Sequence, residues 1–275
     1  MDTSYEIKEK TLIKIEDIHL KYDGKSILRG VSGEVKDIYR SGMTQGQVVG
    51  ILGLSGAGKT QLAKIMAGLQ QPTSGQVLIN QDNKMVPVRA GSVGVVPQNY
   101  PLFRHRTVFG NLMKSAKKGQ HKDPKEKVME MLSSFDMTDK IDLYPQQLSG
   151  GQRQRICIIQ QLLCSKHFLI MDEPFTGLDP LMKDKVAELI AHIASLDEDN
   201  TIFVIAHDIS AVTSIADTLW LLGKERNENG EIIPGALIKR RYDLAAMGLA
   251  WHPELNSSKQ FLEFAQEVKN EFKNL

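Results

Sequence analysis

The sequence predicts an α/β fold: a mostly parallel sheet with helices on both of its faces. Three stretches carry that expectation. The apolar run Val48 to Leu52 leads into GLSGAGKT, residues 53–60, and then into apolar positions at helical spacing, Leu62, Ile65, Met66 and Leu69. A second run, Phe168 to Met171, ends at Asp172 and precedes a helical pattern over 180–196. A third, TIFVIA at 201–206, follows that helix. Short buried strands alternating with helices are the signature of parallel sheets.

The other elements fall around these. Residues 11–35 alternate in strand fashion through Leu12, Ile13, Ile15, Ile18 and Leu20, broken by the turn Asp23-Gly24. A helix opens at Lys59 and runs to residue 69, ending around Gly68. Pro72-Thr73-Ser74-Gly75 is turn chemistry, and strands are expected at 76–80 and 92–96. From 101 to 165 the pattern is helical and richly charged, with a loop over 136–148. The tail from Gly223 begins polar and turn-rich and ends in a helix that Ser257 or Ser258 would cap. Phe261, Leu262, Ala265, Val268, Phe272 and Leu275 form one apolar stripe there, which reads as packing on its own subunit.

Bulk properties narrow the function classes. The chain has 275 residues, a formal net charge of +1 and 41% hydrophobic residues. A near-neutral total argues against a nucleic-acid partner, which calls for a basic footprint. The opening MDTSYEIKEK lacks the apolar core of a secretory signal, and no apolar run reaches bilayer length. Work at a membrane would therefore go through a partner. Cys157 and Cys164 lie seven residues apart on one expected helix, too far for a disulfide and without metal-ligand spacing. They read as buried free thiols in a reducing cytoplasm.

The spacing Gly53-x4-Gly58-Lys59-Thr60 fits a phosphate-binding loop. Glycines let the backbone of Gly53, Ser55, Gly56, Ala57 and Gly58 curl its N–H groups inward at an anion, and the following helix dipole favours negative charge. Lys59 would reach the β- and γ-phosphates, and the Thr60 hydroxyl would ligate Mg²⁺. FLIMDEP places Asp172 at the carboxyl end of a strand, where ligands of such sheets bind. Asp172 suits the metal, and Glu173 beside it suits a water attacking phosphorus. LSGGQRQR, residues 148–155, is a second anion-binding helix start, built on Ser149, Gly150, Gly151 and Gln152.

With LSGGQ the chain resembles the ATP-binding subunits of ATP-binding-cassette (ABC) transporters, from about residue 12 to 222, with the motifs in order. The resemblance implies a RecA-like P-loop core with an antiparallel β-subdomain and an α-helical subdomain inserted at about 101–165. It makes 1–222 the ATPase domain and 223–275 an extension. It also implies two subunits, identical or not, facing head-to-tail, with each ATP between one P-loop and the other subunit's signature. Tyr22 in KYDGKSIL looks like the aromatic that stacks on adenine. Gln98 in VVPQNYPLF corresponds to the glutamine that senses the metal and attacking water. Asp179 in TGLDP matches the aspartate that communicates across the dimer, and His207 the histidine that contacts the γ-phosphate. ATP and Mg²⁺ are the implied cofactors, with Thr60, Asp172 and Gln98 around the metal.

Two stretches depart from the family pattern. KDIYRSGMTQG, residues 36–46, is longer than the usual turn and would enlarge a surface hairpin of the β-subdomain. Gln160-Gln161 stands where the family commonly has Ala-Arg. LFRHRTVFGNL resembles a stretch common in importer ATPases, and DLYPQQ lacks the Gly-Glu-Arg-Gly element of many exporters. The expectation is import of a small solute, of the nitrate/sulfonate or amino-acid type. Permease subunits would hold the chain to the cytoplasmic face of the membrane, with a solute-binding protein as a further partner of the assembly. An exporter or lipid-transport ATPase is one alternative, and a non-transport cassette switching a soluble assembly is another.

Overall fold

The computed structural model describes residues 5–40, 46–165, 167–250 and 258–273. Ser257, Leu275 and positions 41–45 of the inserted stretch lie outside the described residues. In chain order the elements are β1 (Tyr5–Tyr22), β2 (Lys25–Arg40), β3 (Gln47–Gly53), α1 (Lys59–Met66), β4 (Ser74–Gln81), β5 (Lys84–Pro87) and β6 (Gly94–Val96). There follow α2 (Val108–Lys118), α3 (Pro124–Ser134), α4 (Gly150–Leu162), β7 (Phe168–Asp172), α5 (Pro180–Ser195), β8 (Thr201–Ala206), α6 (Ile209–Thr213), β9 (Thr218–Gly223), β10 (Leu237–Asp243) and α7 (Lys259–Lys273).

Two sheets result. The central one has the order β10-β9-β3-β8-β7-β6, parallel throughout except where β10 pairs antiparallel with β9. The second, β2-β1-β4-β5, is antiparallel. The strand period of two sorts the central residues between two cores. Val48 and Leu52 of β3 and Val204 of β8 face a core shared with α4, α5 and α7. Val49, Ile51, Phe203 and Trp220 face the other, shared with α1 and the antiparallel sheet. Burial on both faces is what makes these strands read as unbroken apolar runs.

Some elements differ from expectation. Helix α1 stops at Met66 because Gly68, at φ +67°, turns the chain left-handed. Gly68 and Leu69 then donate to the Ile65 and Lys64 carbonyls, closing a Schellman turn that leaves Leu69 57% exposed. Strand β4 begins at Ser74, inside the expected turn, and β5, α6, β9 and β10 lie outside the expected elements. On α7 the buried set is Phe261, Phe264, Ala265 and Val268, while Leu262 is 57% exposed. Phe264 lies one turn from Phe261 and Val268, whereas Leu262 is rotated about 100° from Phe261. The helix is capped by Ser258, whose hydroxyl accepts from the Phe261 N–H at 3.1 Å. Cys157 is buried as expected, but Cys164 falls beyond α4 and is half-buried.

The region beyond Gly223 is not set apart from the rest. β10 completes the central sheet, and the Phe264 ring meets Tyr242 edge-on at 5.1 Å. Lys36 to Arg40 prolong β2, which pairs with β1 back to Tyr5.

Candidate functional site

The loop between β3 and α1 emerges at the carboxyl edge of the central sheet. Gly56 and Gly58 hold φ +79° and +87°, a region costly for residues with a Cβ. Tyr22, Ser55, Gly56, Gly58, Lys59, Thr60, Gln98, Glu173 and His207 line one cavity of about 780 Å³. Gly53 and Ala57 lie in the same loop but behind its wall, both buried. Ile27, Leu54, Gln61, Thr176 and Phe272 also line the cavity, and none of them carried a role in the sequence reading.

Lys59 is only 6% exposed. Its Nζ donates to the carbonyls of Gly53 and Leu54 at 2.8 and 3.1 Å and lies 3.5 Å from Glu173 Oε1. Glu173 Oε2 meets His207 Nδ1 at 2.8 Å and accepts from the Thr176 hydroxyl at 3.0 Å. One carboxylate thus gathers an ammonium, an imidazole and a hydroxyl. Glu173 itself sits at φ +54°, tied by its N–H to the Ile205 carbonyl at 2.7 Å.

Asp172 ends β7 just beneath. Burial pushes its carboxyl above the ordinary range and the Glu173 charge adds to this, while a hydrogen bond from Thr60 and the charges of Lys59 and Lys64 oppose it. Its Oδ1 is buried with no hydrogen-bond partner. An orphaned carboxylate oxygen beside a threonine hydroxyl is a donor set suited to a hard, oxygen-seeking cation. The residues therefore fit Mg²⁺.

Tyr22 is 46% exposed at the cavity mouth. Its hydroxyl is fixed by Gln61 at 3.2 Å and Gln70 at 2.6 Å. A ring held at its polar tip is a ready stacking platform.

The signature residues lie elsewhere. Ser149 caps α4, accepting from the Gln152 N–H at 3.2 Å while its own N–H donates to Gln152 Oε1 at 2.9 Å. Ser149, Gly151 and Gln152 line a separate cavity of about 290 Å³. A Cβ added at Gly150 would meet nothing within 4 Å, and one at Gly151 only the Met182 Cε at 3.9 Å. This chain's own packing does not demand glycine at either place. Asp179 caps α5 through the Met182 N–H at 3.0 Å. Within one chain, the P-loop set and the signature set are not brought together.

A family model described as "ABC transporter" matches residues 39–176. The chain belongs to the ABC transporter family. Among other members of the family, it is 39% identical over 186 residues to a sulfate/thiosulfate import ATP-binding protein, CysA, of Pectobacterium atrosepticum. That match covers 65% of this chain and 56% of the relative. It is 30% identical over 265 residues to the L-cystine transport system ATP-binding protein TcyN of Escherichia coli, covering 91% of this chain and 97% of TcyN. A methionine import ATP-binding protein, MetN, of Carboxydothermus hydrogenoformans is 30% identical, with 82% and 66% covered. The chain therefore spans little more than half of CysA and about two thirds of MetN. The ABC fold itself is shared with cbiO1 from Clostridium perfringens, described as part of the ABC transporter complex cbiONQ, at a TM-score of 0.70 and 23% identity. That likeness covers 95% of this chain and 100% of cbiO1. Among the described residues, no helix is long and apolar enough to cross a membrane.

Proposed function

We propose that this chain is the ATP-binding and ATP-hydrolysing subunit of an ABC transporter, driving import of a small solute through separate membrane subunits. The observation that carries the reading is the convergence of Lys59, Glu173 and His207 at the mouth of a left-handed glycine loop. The loop amides and the start of α1 present positive dipoles to a triphosphate. Lys59 leaves the Gly53 and Leu54 carbonyls for the β- and γ-phosphates, and Tyr22 takes the adenine ring. Thr60, Asp172 and Gln98 hold Mg²⁺, which when bound neutralises charge on the phosphate oxygens.

Glu173, released from Lys59, orients a water and accepts its proton. General-base catalysis of this kind contributes about 10²–10⁴-fold. His207, whose ring already reaches Glu173, contacts the γ-phosphate. Ser149, Gly150, Gly151 and Gln152 meet the nucleotide of a second ATPase subunit, and Asp179 carries contact between the two. The bare surfaces of Gly150 and Gly151 support that reading, since close approach by a partner explains glycines that the chain's own packing does not. Relatives named for sulfate/thiosulfate, methionine and L-cystine support small-solute import. Permease subunits at the cytoplasmic face of the membrane, with a solute-binding protein on the other side, complete the assembly.

Glu173→Gln tests this. It keeps the hydrogen-bonding shape and removes the base, so ATP binding should persist while turnover falls by at least about 100-fold. ATP should then trap a dimer that elutes early on size exclusion. Wild-type hydrolysis by the variant would refute the assignment.

A further inference from the structure

Glu173 is held by groups of two kinds. Lys59 and His207 are the groups that the proposed reaction sends to the phosphates, so their hold on the carboxylate is given up as nucleotide enters. Thr176 has no such second task. Pro174 and Phe175 fix the turn between the two residues, with Phe175 only 2% exposed. From that anchored turn Thr176 grips Glu173 twice. Its N–H donates to the Glu173 carbonyl at 3.3 Å, and its hydroxyl donates to Oε2 at 3.0 Å. The left-handed backbone of Glu173 is pinned from the other side by the Ile205 carbonyl. The clamp is made within four consecutive residues, and Thr176 lines the same cavity as the phosphate loop.

We propose that Thr176 is the positioning residue for Glu173, keeping its carboxylate aimed at the attacking water once Lys59 and His207 have moved to the phosphates. A neutral donor suits the task. It orients the carboxylate without competing for phosphate as another cation would. The inference rests on the reading of Glu173 as the base.

The test compares Thr176→Val, Thr176→Ser and Glu173→Gln in the full chain, at concentrations that sustain turnover. Valine keeps the shape and loses the donor, so kcat should fall roughly tenfold, the size of one hydrogen bond to a charged group. KM and the ATP affinity measured by calorimetry should stay at wild-type values. Serine keeps the hydroxyl and should restore kcat to within about twofold. Wild-type kcat in Thr176→Val, failure of serine to rescue, or loss of ATP affinity in the valine variant would each overturn the inference. If Glu173→Gln is inactive while Thr176→Val is normal, only the role of Thr176 falls. If Glu173→Gln retains full turnover, the reading of Glu173 falls first.

Discussion

Lys59 is the residue on which the candidate site turns. Its ammonium is satisfied by two loop carbonyls and by Glu173, and it is already desolvated in the cradle. Removing it should cost affinity more than fold. Lys59→Ala is expected to weaken ATP binding by about one to two orders of magnitude, since charge-assisted contacts contribute roughly 1.5–3 kcal/mol each. Isothermal calorimetry reads the change, and an unaltered affinity would place the nucleotide elsewhere. Lys59 was legible from the glycine spacing, Asp172 and Glu173 from the end of an apolar strand, where ligands of such sheets bind, and His207 from the family resemblance. Thr176 opens TGLDP, but that motif was read for Asp179, and nothing in the spacing assigns the threonine a role. Its role is visible only once its hydroxyl is seen against the carboxylate. Phe272 was assigned to an apolar stripe, and nothing in the periodicity reveals that its turn of helix reaches the phosphate edge.

At the scale of elements, the strands that carry the site were legible, whereas β9 and β10 at one side of the central sheet were not. β7 and β8 match their expected limits because both faces of each are covered. β10 runs Leu-Ile-Lys-Arg-Arg-Tyr-Asp with its centre exposed, so it offers neither an apolar run nor a clean alternation. Contact between elements also sets what they tolerate. A Cβ at Gly50 of β3 would stand 2.4 Å from Val212 Cγ1 of α6 and 2.9 Å from Leu219 Cδ1. Gly50→Ala should therefore destabilise by about 1–3 kcal/mol through overpacking, read as a lower midpoint in urea.

Helices α5 and α6 are tied by Lys183 and Asp208, whose charged atoms are 2.5 Å apart. Burial pushes the Asp208 carboxyl up, but the Lys183 hydrogen bond, the Ala211 N–H and nearby positive charge outweigh it and hold the carboxyl below its ordinary value. A depressed carboxylate contributes stability that is complete above the unfolded value of about 4 and is lost as pH falls through the lower folded value. Lys183→Met should accordingly melt lower than wild type at pH 7. The gap should close in strong acid, where Asp208 is protonated in both proteins. Thermal melts across pH 2–7 check it, and a gap that persists at the acid end would assign the loss to packing.

At the scale of the whole molecule, one chain leaves the P-loop cavity and the signature cavity apart. Gly151→Asp places a charge in the first turn of α4, where an acid is compatible with the helix dipole and the chain offers it open space. The isolated variant should fold and bind an ATP analogue normally, yet fail to dimerise with ATP and fail to turn over. Monomer binding as poor as that of Lys59→Ala would place the signature on its own subunit's nucleotide. The other whole-molecule feature is α7, which closes one core from the far end of the sequence and brings Phe272 to the rim of the phosphate cavity. An aromatic ring at that rim is a ready-made optical antenna. Phe272→Trp would add an indole at that rim to the two native ones, Trp220, buried in the opposite core, and Trp251, outside the described residues. Nucleotide entry could then be followed as the change in emission over that of the unsubstituted chain, without label, dye or coupled assay.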